Sequence, residues 1–201
     1  MTLPRAFLAL SLFLATGSAT AADSIPPEAR ALKQQGDEKR ASGDLAGAID
    51  AYLSATRAFE GYAEAWEAIG EIQFGLKQYA EAARSFEAAT AMDPGYALAW
   101  YNLAFAARCA GDLTRAADGY KRYLALRPED ADGHHGLAES LRGLGDRPGA
   151  IRSYETFIGL AQVQPEQVKW VTRAREALAQ LRAEQARRGL AEARAEMEKR
   201  P

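Results

Sequence analysis

Residues 63–94 decide the fold, and they read AEAWEAIGEIQFGLKQYAEAARSFEAATAMDP. Trp66, Ile69 and Gly70 lie three residues and one residue apart, so they share one face of a helix. Residues 75–78 interrupt this pattern with glycine and polar residues. A second run then places small and aromatic residues at spacings of four and three, at Ala82, Phe86 and Ala89. Because Pro94 ends the second run, the segment predicts two amphipathic helices joined as a hairpin.

The hairpin recurs every 34 residues along the chain. Four kinds of position show this spacing: Ala48, Ala82, Ala116 and Ala150; Tyr52, Phe86, Tyr120 and Tyr154; Trp66 and Trp100; and Pro94 and Pro128. Turn pairs stand in the same phase at Gly43-Asp44, Gly111-Asp112 and Gly145-Asp146, with Lys77-Gln78 replacing the second pair. Glycine can adopt a left-handed conformation after one helix, and aspartate can begin the next. The spacing therefore predicts four hairpins in register.

This pattern resembles the tetratricopeptide repeat family, whose signature is W-x2-L-G, then alanine, then an aromatic residue, then proline. The resemblance covers residues from about Ala29 to Gly159. It implies an all-α fold, a solenoid of four helix hairpins with a C-terminal capping helix. The signature residues pack the hairpins together, so they specify the fold and say little about a ligand.

Repeat phase and composition divide the chain into segments. These are a signal peptide at 1–21, a linker at 22–28, repeats at 29–62, 63–96, 97–130 and 131–164, and a capping helix with a charged tail at 165–201. His134 takes the tryptophan position of the fourth repeat. The cap is predicted from Glu166 to about Arg187, with Trp170 and Leu178 near its contact with the last repeat. Residues 187–189 are a candidate break, and the tail beyond them is either helical or frayed.

The first 21 residues have the composition of a secretory signal peptide. Arg5 precedes an apolar run, and Ala19-Thr20-Ala21 matches the small-x-small cleavage signal. We predict Sec-type export, cleavage after Ala21 or alternatively after Ala22, and a periplasmic location in a bacterium. The run is too short to span a bilayer, so we expect no stable membrane insertion after cleavage. An uncleaved anchor, a fortuitous apolar N-terminus and secretion by a eukaryote are the alternatives.

Composition and motifs argue against most kinds of catalytic or cofactor site. The formal net charge is -2 and does not favour a nucleic-acid partner. A single cysteine, Cys109, excludes an intramolecular disulfide framework and a cysteine-based zinc site. Phosphate-binding loops and His-Glu-x-x-His are absent from the sequence. His134 and His135 are adjacent and face different sides of a helix, which makes them a poor metal pair. We predict no catalytic residue, metal or cofactor, with redox or enzymatic use of Cys109 or the histidines as the alternative.

The family resemblance implies that the first helix of each hairpin lines a concave groove. The lining positions are Arg30, Lys33, Asp37, Arg40, Glu64, Glu67, Glu71, Phe74, Leu98, Tyr101, Phe105, Arg108, Cys109, Asp132, His135, Glu139 and Arg142, with Asn102 beside them. His135 is predicted to be exposed in this groove.

The third repeat places Leu98, Tyr101, Phe105 and Cys109 in one apolar stripe, which Phe74 extends. Apolar side chains flanked by arginines are typical of binding hot spots. The predicted partner-binding groove is Phe74, Leu98, Tyr101, Asn102, Phe105, Arg108, His135 and Arg142. Alternatively, the superhelix turns these residues into the core, or the N-terminal segment or the C-terminal helix covers them.

One subfamily of these repeats grips the C-terminal carboxylate of chaperone tails with lysine and asparagine side chains. This sequence does not match it. Lys33 is in place, but Asp37 and Ala68 replace the two asparagines, and Asn102 stands where arginine is expected. Asp37 would repel a carboxylate, so this binding function is not expected here.

The sequence thus predicts a non-catalytic interaction module of the bacterial cell envelope. Its partner would be a protein or peptide bound in the concave groove, and neither nucleic acid nor membrane is expected as a partner. The alternative is a structural assembly subunit, which forms a homo-oligomer or docks through the C-terminal helix and the convex face.

Overall fold

The computed structural model describes residues 25–161 and 168–199. Within these ranges the chain forms nine α-helices and no β-strand. The helices are α1 (Pro27–Ala41), α2 (Leu45–Ala58), α3 (Ala63–Gly75), α4 (Tyr79–Met92), α5 (Ala97–Cys109), α6 (Leu113–Leu126), α7 (Ala131–Leu144), α8 (Arg147–Ala161) and α9 (Val168–Glu198). The predicted signal peptide lies outside the described residues.

The helices pack in the order in which they follow one another along the chain. Helices α1 to α8 form four hairpins, each hairpin packs against the next, and α9 packs against α8. Long-range packing between neighbouring units only is the property that defines a solenoid. The predicted all-α solenoid of four hairpins with a C-terminal helix is therefore confirmed.

The hairpin turns use the conformations that the sequence indicates. Gly43, Gly111 and Gly145 have φ angles of 86°, 84° and 79°, in the left-handed region. The aspartates that follow them cap the next helix, since the side chains of Asp44, Asp112 and Asp146 accept hydrogen bonds from the backbone N–H groups of Gly47, Arg115 and Gly149. Lys77 takes the place of the turn glycine in the second repeat and has a φ of 62°.

Each hairpin closes around one large aromatic side chain and small residues. The aromatic side chains Tyr52, Phe86, Tyr120 and Tyr154 are buried, as are the repeating alanines Ala48, Ala82, Ala116 and Ala150. Gly70 lets the Phe86 ring approach closely, because a Cβ added to Gly70 would lie 2.7 Å from Cε1 of that ring. The small residues that mark the repeat in the sequence are thus the places where rings lie against helix backbone.

The third and fourth repeats are joined to the preceding repeat by the same hydrogen bond, made by different residue types. Nε1 of Trp100 donates to the carbonyl oxygen of Pro94 over 3.0 Å. Nε2 of His134 lies 2.8 Å from the carbonyl oxygen of Pro128. A carbonyl only accepts, so Nε2 of His134 carries the proton. His134 therefore takes the tryptophan position in the fourth repeat and reproduces its bond.

Helix α9 packs along its first half only. Val171, Ala174, Leu178 and Leu181 are buried against the last repeat, whereas every described side chain from residue 185 onward is exposed. The helix continues through residues 187–189 to Glu198, so the candidate break there does not occur. Across 25–161 and 168–199, none of the helices combines the length and apolar character needed to cross a membrane.

Candidate ligand-binding groove

A cavity of about 670 Å³ lies between α5, α7 and α9, and we call it the α5–α9 cavity. Its lining from α5 is Tyr101, Phe105 and Arg108; from α7, Asp132, His135, Gly136, Glu139 and Arg142; and from α9, Trp170, Arg173, Glu176, Ala177 and Gln180. Tyr120 and Phe157, which belong to α6 and α8, complete the lining. A cavity of this size is typical of ligand sites, and its lining here combines aromatic rings with many charged and polar side chains.

Aromatic rings form a row along one wall of this cavity. The rings of Tyr101 and Phe105 are stacked with centroids 6.3 Å apart, and Phe105 lies 5.3 Å from the ring of Phe74. Tyr101 also makes edge contacts with the buried Tyr120 and with Tyr123. Both Tyr101 and Phe105 remain half-buried, so part of each ring faces the cavity. Ring-to-ring contacts on several sides hold these side chains in place before any ligand arrives.

Glu139 and Arg142 form an ion pair in the wall of the cavity. Nη2 of Arg142 donates to Oε2 of Glu139 over 2.7 Å, and the hydroxyl of Tyr154 donates to Oε1 of the same carboxylate. Burial alone would raise the pKa of Glu139, but hydrogen bonds from Tyr154 and Arg142 outweigh it and lower that pKa. The carboxylate is therefore charged and already bonded on both oxygens.

His135 is half-buried rather than exposed, which corrects the sequence prediction. Its ring centroid lies 4.9 Å from that of Phe157 and 5.7 Å from that of Trp170. Burial lowers the pKa of the imidazole from its usual value of 6.5, so His135 is neutral at pH 7. The prediction failed because α9 stands across the groove and places Trp170 over the histidine.

The eight residues predicted to bind a partner do not all lie at one site. Tyr101, Phe105, Arg108, His135 and Arg142 line the α5–α9 cavity. Phe74 does not line it but extends its aromatic row through Phe105. Leu98 is 51% exposed and lies outside the lining, and Asn102 instead donates a 3.1 Å hydrogen bond to Glu67. Cys109, the end of the predicted stripe, is exposed and also outside the lining.

The residues contributed by α9 were missed as groove residues. Trp170, Arg173, Ala177 and Gln180 all line the cavity. Their spacings of three, four and three put them on one helical face, beside the buried face of the same helix. The sequence shows this periodicity. It does not show that this second face of α9 lies opposite α5 and α7.

A second polar cluster joins α3 to α1 and to α5. Glu67 on α3 is only 8% exposed and accepts the hydrogen bond from Asn102. Glu71, one turn further on, accepts a 2.5 Å bond from Arg40. Burial, followed by the charge of Glu71 and a hydrogen bond with it, raises the pKa of Glu67 to about 7. Glu67 is thus a buried acid that titrates near neutral pH.

This raised pKa makes a prediction about stability. A folded-state pKa of about 7 against an ordinary 4.5 means that the folded chain binds more protons than the unfolded chain between these values. Stability is then lost as the pH rises from 4.5 to 7. We expect Glu67→Gln to remove this loss and to raise the free energy of unfolding at pH 8 by about 1–2 kcal/mol. Urea unfolding of both proteins from pH 5 to 8 measures it.

The control for this measurement is Glu64→Gln, an exposed glutamate one turn earlier on the same helix. It removes one negative charge and leaves the buried acid in place. If Glu64→Gln changed the pH dependence as much as Glu67→Gln does, the effect would come from net charge rather than from the buried carboxyl.

Among the residues that the structure describes, no group of three or more His, Cys, Asp or Glu side chains is placed to hold a metal ion. His134 is hydrogen-bonded to the Pro128 carbonyl, and His135 lies against the ring of Trp170, so the two adjacent histidines have different surroundings.

Comparison with known proteins matches this architecture to one family. The model of the family described as tetratricopeptide repeat matches residues 33–83 and 74–131. The chain has the fold of a tetratricopeptide repeat solenoid. Proteins with these repeats are generally non-catalytic and act as scaffolds for protein–protein interaction.

Solved structures share the solenoid over most of the chain. A crystal structure of MamA is 26% identical with a TM-score of 0.66, covering 80% of this chain and 87% of that one. The C-terminal part of a tetratricopeptide repeat-containing protein from Cytophaga hutchinsonii has a TM-score of 0.68 at 17% identity, over 78% of this chain and 62% of that one. The first such domain of Spaghetti (RPAP3), bound to the HSP90 peptide SRMEEVD, has a TM-score of 0.53 at 24% identity, over 59% and 94%. No curated protein matches this solenoid.

Proposed function

We propose that this solenoid is an exported, non-catalytic binding module that holds a peptide segment of a partner protein in the α5–α9 cavity. The observation that carries the proposal is the pair Tyr101 and Phe105. Each presents part of its ring to a cavity of about 670 Å³, in addition to the contacts that it makes with neighbouring rings. Half-buried aromatic side chains in a concave site are the usual anchors of protein recognition.

The related fold of RPAP3, which holds a peptide, supports the class of ligand and not its sequence. The residues of the chaperone-tail clamp are used differently here. Nζ of Lys33 is 2.9 Å from a carboxylate oxygen of Asp37, so the two opposite charges compensate each other. The hydroxyl of Tyr52 donates to the other oxygen of Asp37. Asn102 is bonded to Glu67. The proposed site is therefore at the other end of the groove, between the third repeat and the C-terminal helix.

The proposed location is the periplasm of a bacterium, reached by a Sec-type signal peptide at residues 1–21. The apolar run after Arg5 and the Ala19-Thr20-Ala21 site support this. The N-terminal sequence of the protein purified from its native envelope fraction tests it. A mature protein that begins at Ala22 is expected, and a retained Met1 would contradict the proposal.

Partner binding is tested with the double variant Tyr101→Ala/Phe105→Ala. The protein is used to capture partners from envelope extract, and the dissociation constant of a captured partner is then measured by calorimetry. We expect binding to weaken at least about tenfold in the double variant, because two anchor rings are lost. Helicity of the two proteins is matched by circular dichroism.

Leu98→Ala is the matched control, since Leu98 lies on the same helix but outside the cavity. It should leave the affinity unchanged. A partner that binds the double variant as well as it binds the unaltered protein would place the binding site elsewhere on the solenoid.

Self-association is a second candidate function, favoured by the exposed half of α9. Leu190 and Met197 on this half are 69% and 65% exposed. Truncation after Glu184 removes it while keeping the packed half and the 3.1 Å ion pair between Arg147 and Glu184. If α9 mediates assembly, sedimentation should show a concentration-dependent mass that this truncation abolishes. A monomer at high concentration would exclude the assembly role.

A further inference from the structure

We propose that the α5–α9 cavity selects a partner segment that carries a carboxylate next to an apolar side chain, and that Arg108 binds the carboxylate with Arg173 as the second cation. This inference rests on the proposed peptide-binding function and specifies the chemistry of the partner.

Arg108 provides the first argument. Its Nε is buried and is the one such side-chain nitrogen or oxygen, among residues 25–161 and 168–199, without a hydrogen-bond partner. A buried N–H donor without an acceptor costs free energy, and native structures rarely leave one. Arg108 lines the cavity, so a small rotation of its guanidinium toward an acceptor group on a bound ligand would satisfy this donor.

The stacking of each arginine on an aromatic ring provides the second argument. The guanidinium of Arg108 lies 5.1 Å from the Phe105 ring centroid, and that of Arg173 lies 5.3 Å from the centroid of Trp170. A ring against the face of a guanidinium fixes its plane. Arg108 also makes a hydrogen bond with the hydroxyl of Tyr120, and its other N–H groups stay available at the edge of the guanidinium. In the described part of the chain, neither Arg108 nor Arg173 forms a salt bridge, in contrast to Arg142.

The acidic residues that line the cavity do not cancel its preference for a carboxylate ligand. Both carboxylate oxygens of Glu139 already accept hydrogen bonds, from Arg142 and Tyr154, so its charge is paired within the cavity wall. Asp132 and Glu176 are exposed at the cavity lining, where solvent screens their charge. A cationic ligand could pair with Glu176, but it could not satisfy the buried N–H of Arg108. A carboxylate can, and planar bidentate pairing with a guanidinium is its strongest interaction.

The remaining walls define the apolar part of the ligand. Tyr101, Phe105, Phe157 and Trp170 surround the arginines with ring surface. An aromatic or large aliphatic side chain would fill this space, with the carboxylate one or two residues away. The carboxylate has two sources, the C-terminus of the partner or an internal aspartate or glutamate side chain.

Four small probes test this inference on the mature chain, residues 22–201. N-acetylphenylalanine carries a terminal carboxylate, and its primary amide does not. N-acetylphenylalanyl-glutamic acid α-amide carries a side-chain carboxylate, and its glutamine equivalent does not. Binding is followed by NMR titration of the arginine Nε–H and tryptophan indole N–H signals, which report on Arg108 and Trp170.

We expect the carboxylate probes to bind at least about tenfold more tightly than their neutral equivalents, with the largest shift at the Nε–H of Arg108. Preference for the first acid over the second indicates a chain end, and the reverse indicates an internal acidic residue. Arg108→Gln and Arg173→Gln should each abolish the preference. Arg84→Gln is the control, since Arg84 is an exposed arginine on α4, outside the cavity.

Equal binding of acid and amide probes at the cavity would overturn the carboxylate inference and leave the proposed peptide site intact. Absence of any probe binding would also overturn it. Failure of the proposed function is recognised separately, because it requires a captured partner whose affinity does not change in Tyr101→Ala/Phe105→Ala.

Discussion

Replacing Phe157 with alanine is expected to lower the free energy of unfolding by about 3–4 kcal/mol. Phe157 is fully buried on α8 and belongs to the apolar cluster that joins the last repeat to α9. Loss of the ring leaves a cavity between Tyr154, Val171 and Leu178 that rigid helices cannot collapse to fill. Urea denaturation monitored by circular dichroism at 222 nm measures the change.

The same substitution reaches the ligand cavity, because the Phe157 ring lies 4.9 Å from that of His135. Opening this side of the imidazole to water should reverse the burial that lowers its pKa, so NMR titration should show the pKa of His135 rising. Phe157→Leu is the control, with an expected cost of about 1 kcal/mol because it keeps most of the volume. Equal losses for alanine and leucine would contradict the packing described for this cluster.

Gly136→Ala is expected to cost about 2–3 kcal/mol, although alanine is the better helix former. A Cβ at Gly136 would lie 2.7 Å from Cε2 of Tyr120 and closer still to Cζ. The Tyr120 ring is buried and contacts Tyr101, so it cannot move aside without disturbing the aromatic row. Thermal unfolding should therefore show a lower Tm, and ligand binding in the α5–α9 cavity should weaken together with it.

Gly159→Ala serves as the matched control for Gly136→Ala. Gly159 lies within α8, and a Cβ there would meet nothing within 4 Å. Relief of the helix penalty of glycine should stabilise this variant by about 0.5–1 kcal/mol. Opposite signs for the two substitutions are the expected result. Stabilisation by both would show that the ring of Tyr120 does not restrict the backbone at Gly136.

The repeat spacing predicted the fold well because it records packing directly. Residues 34 apart must satisfy the same neighbours, so Tyr52, Phe86, Tyr120 and Tyr154 all became buried anchors. Phase also assigned His134 to the tryptophan position. Lys77 shows the limit of such reasoning, since the sequence did not predict that this residue itself adopts the left-handed conformation. The geometry of the turn outweighs the local cost of about 1–2 kcal/mol for a non-glycine residue.

The candidate site was predictable only in part. A helical period shows which residues share a face, and this placed Tyr101, Phe105 and Arg108 together. It does not show which helix lies opposite that face. Helix α9 stands across only part of the stripe, and this separates Tyr101 and Phe105 from Leu98. The sequence also did not predict that α9 continues through Gly189. The helix does not break there because one glycine costs less than the good helix formers around it contribute.

The position of α9 in the chain has a consequence for the order of folding. A chain exported by the proposed Sec-type route emerges from the membrane with its N-terminus first, and the four hairpins can pack one after another as they emerge. The wall that carries Trp170 and Arg173 belongs to the helix that emerges last. The repeats can therefore fold before the α5–α9 cavity exists, so the proposed partner site is completed only when α9 has packed.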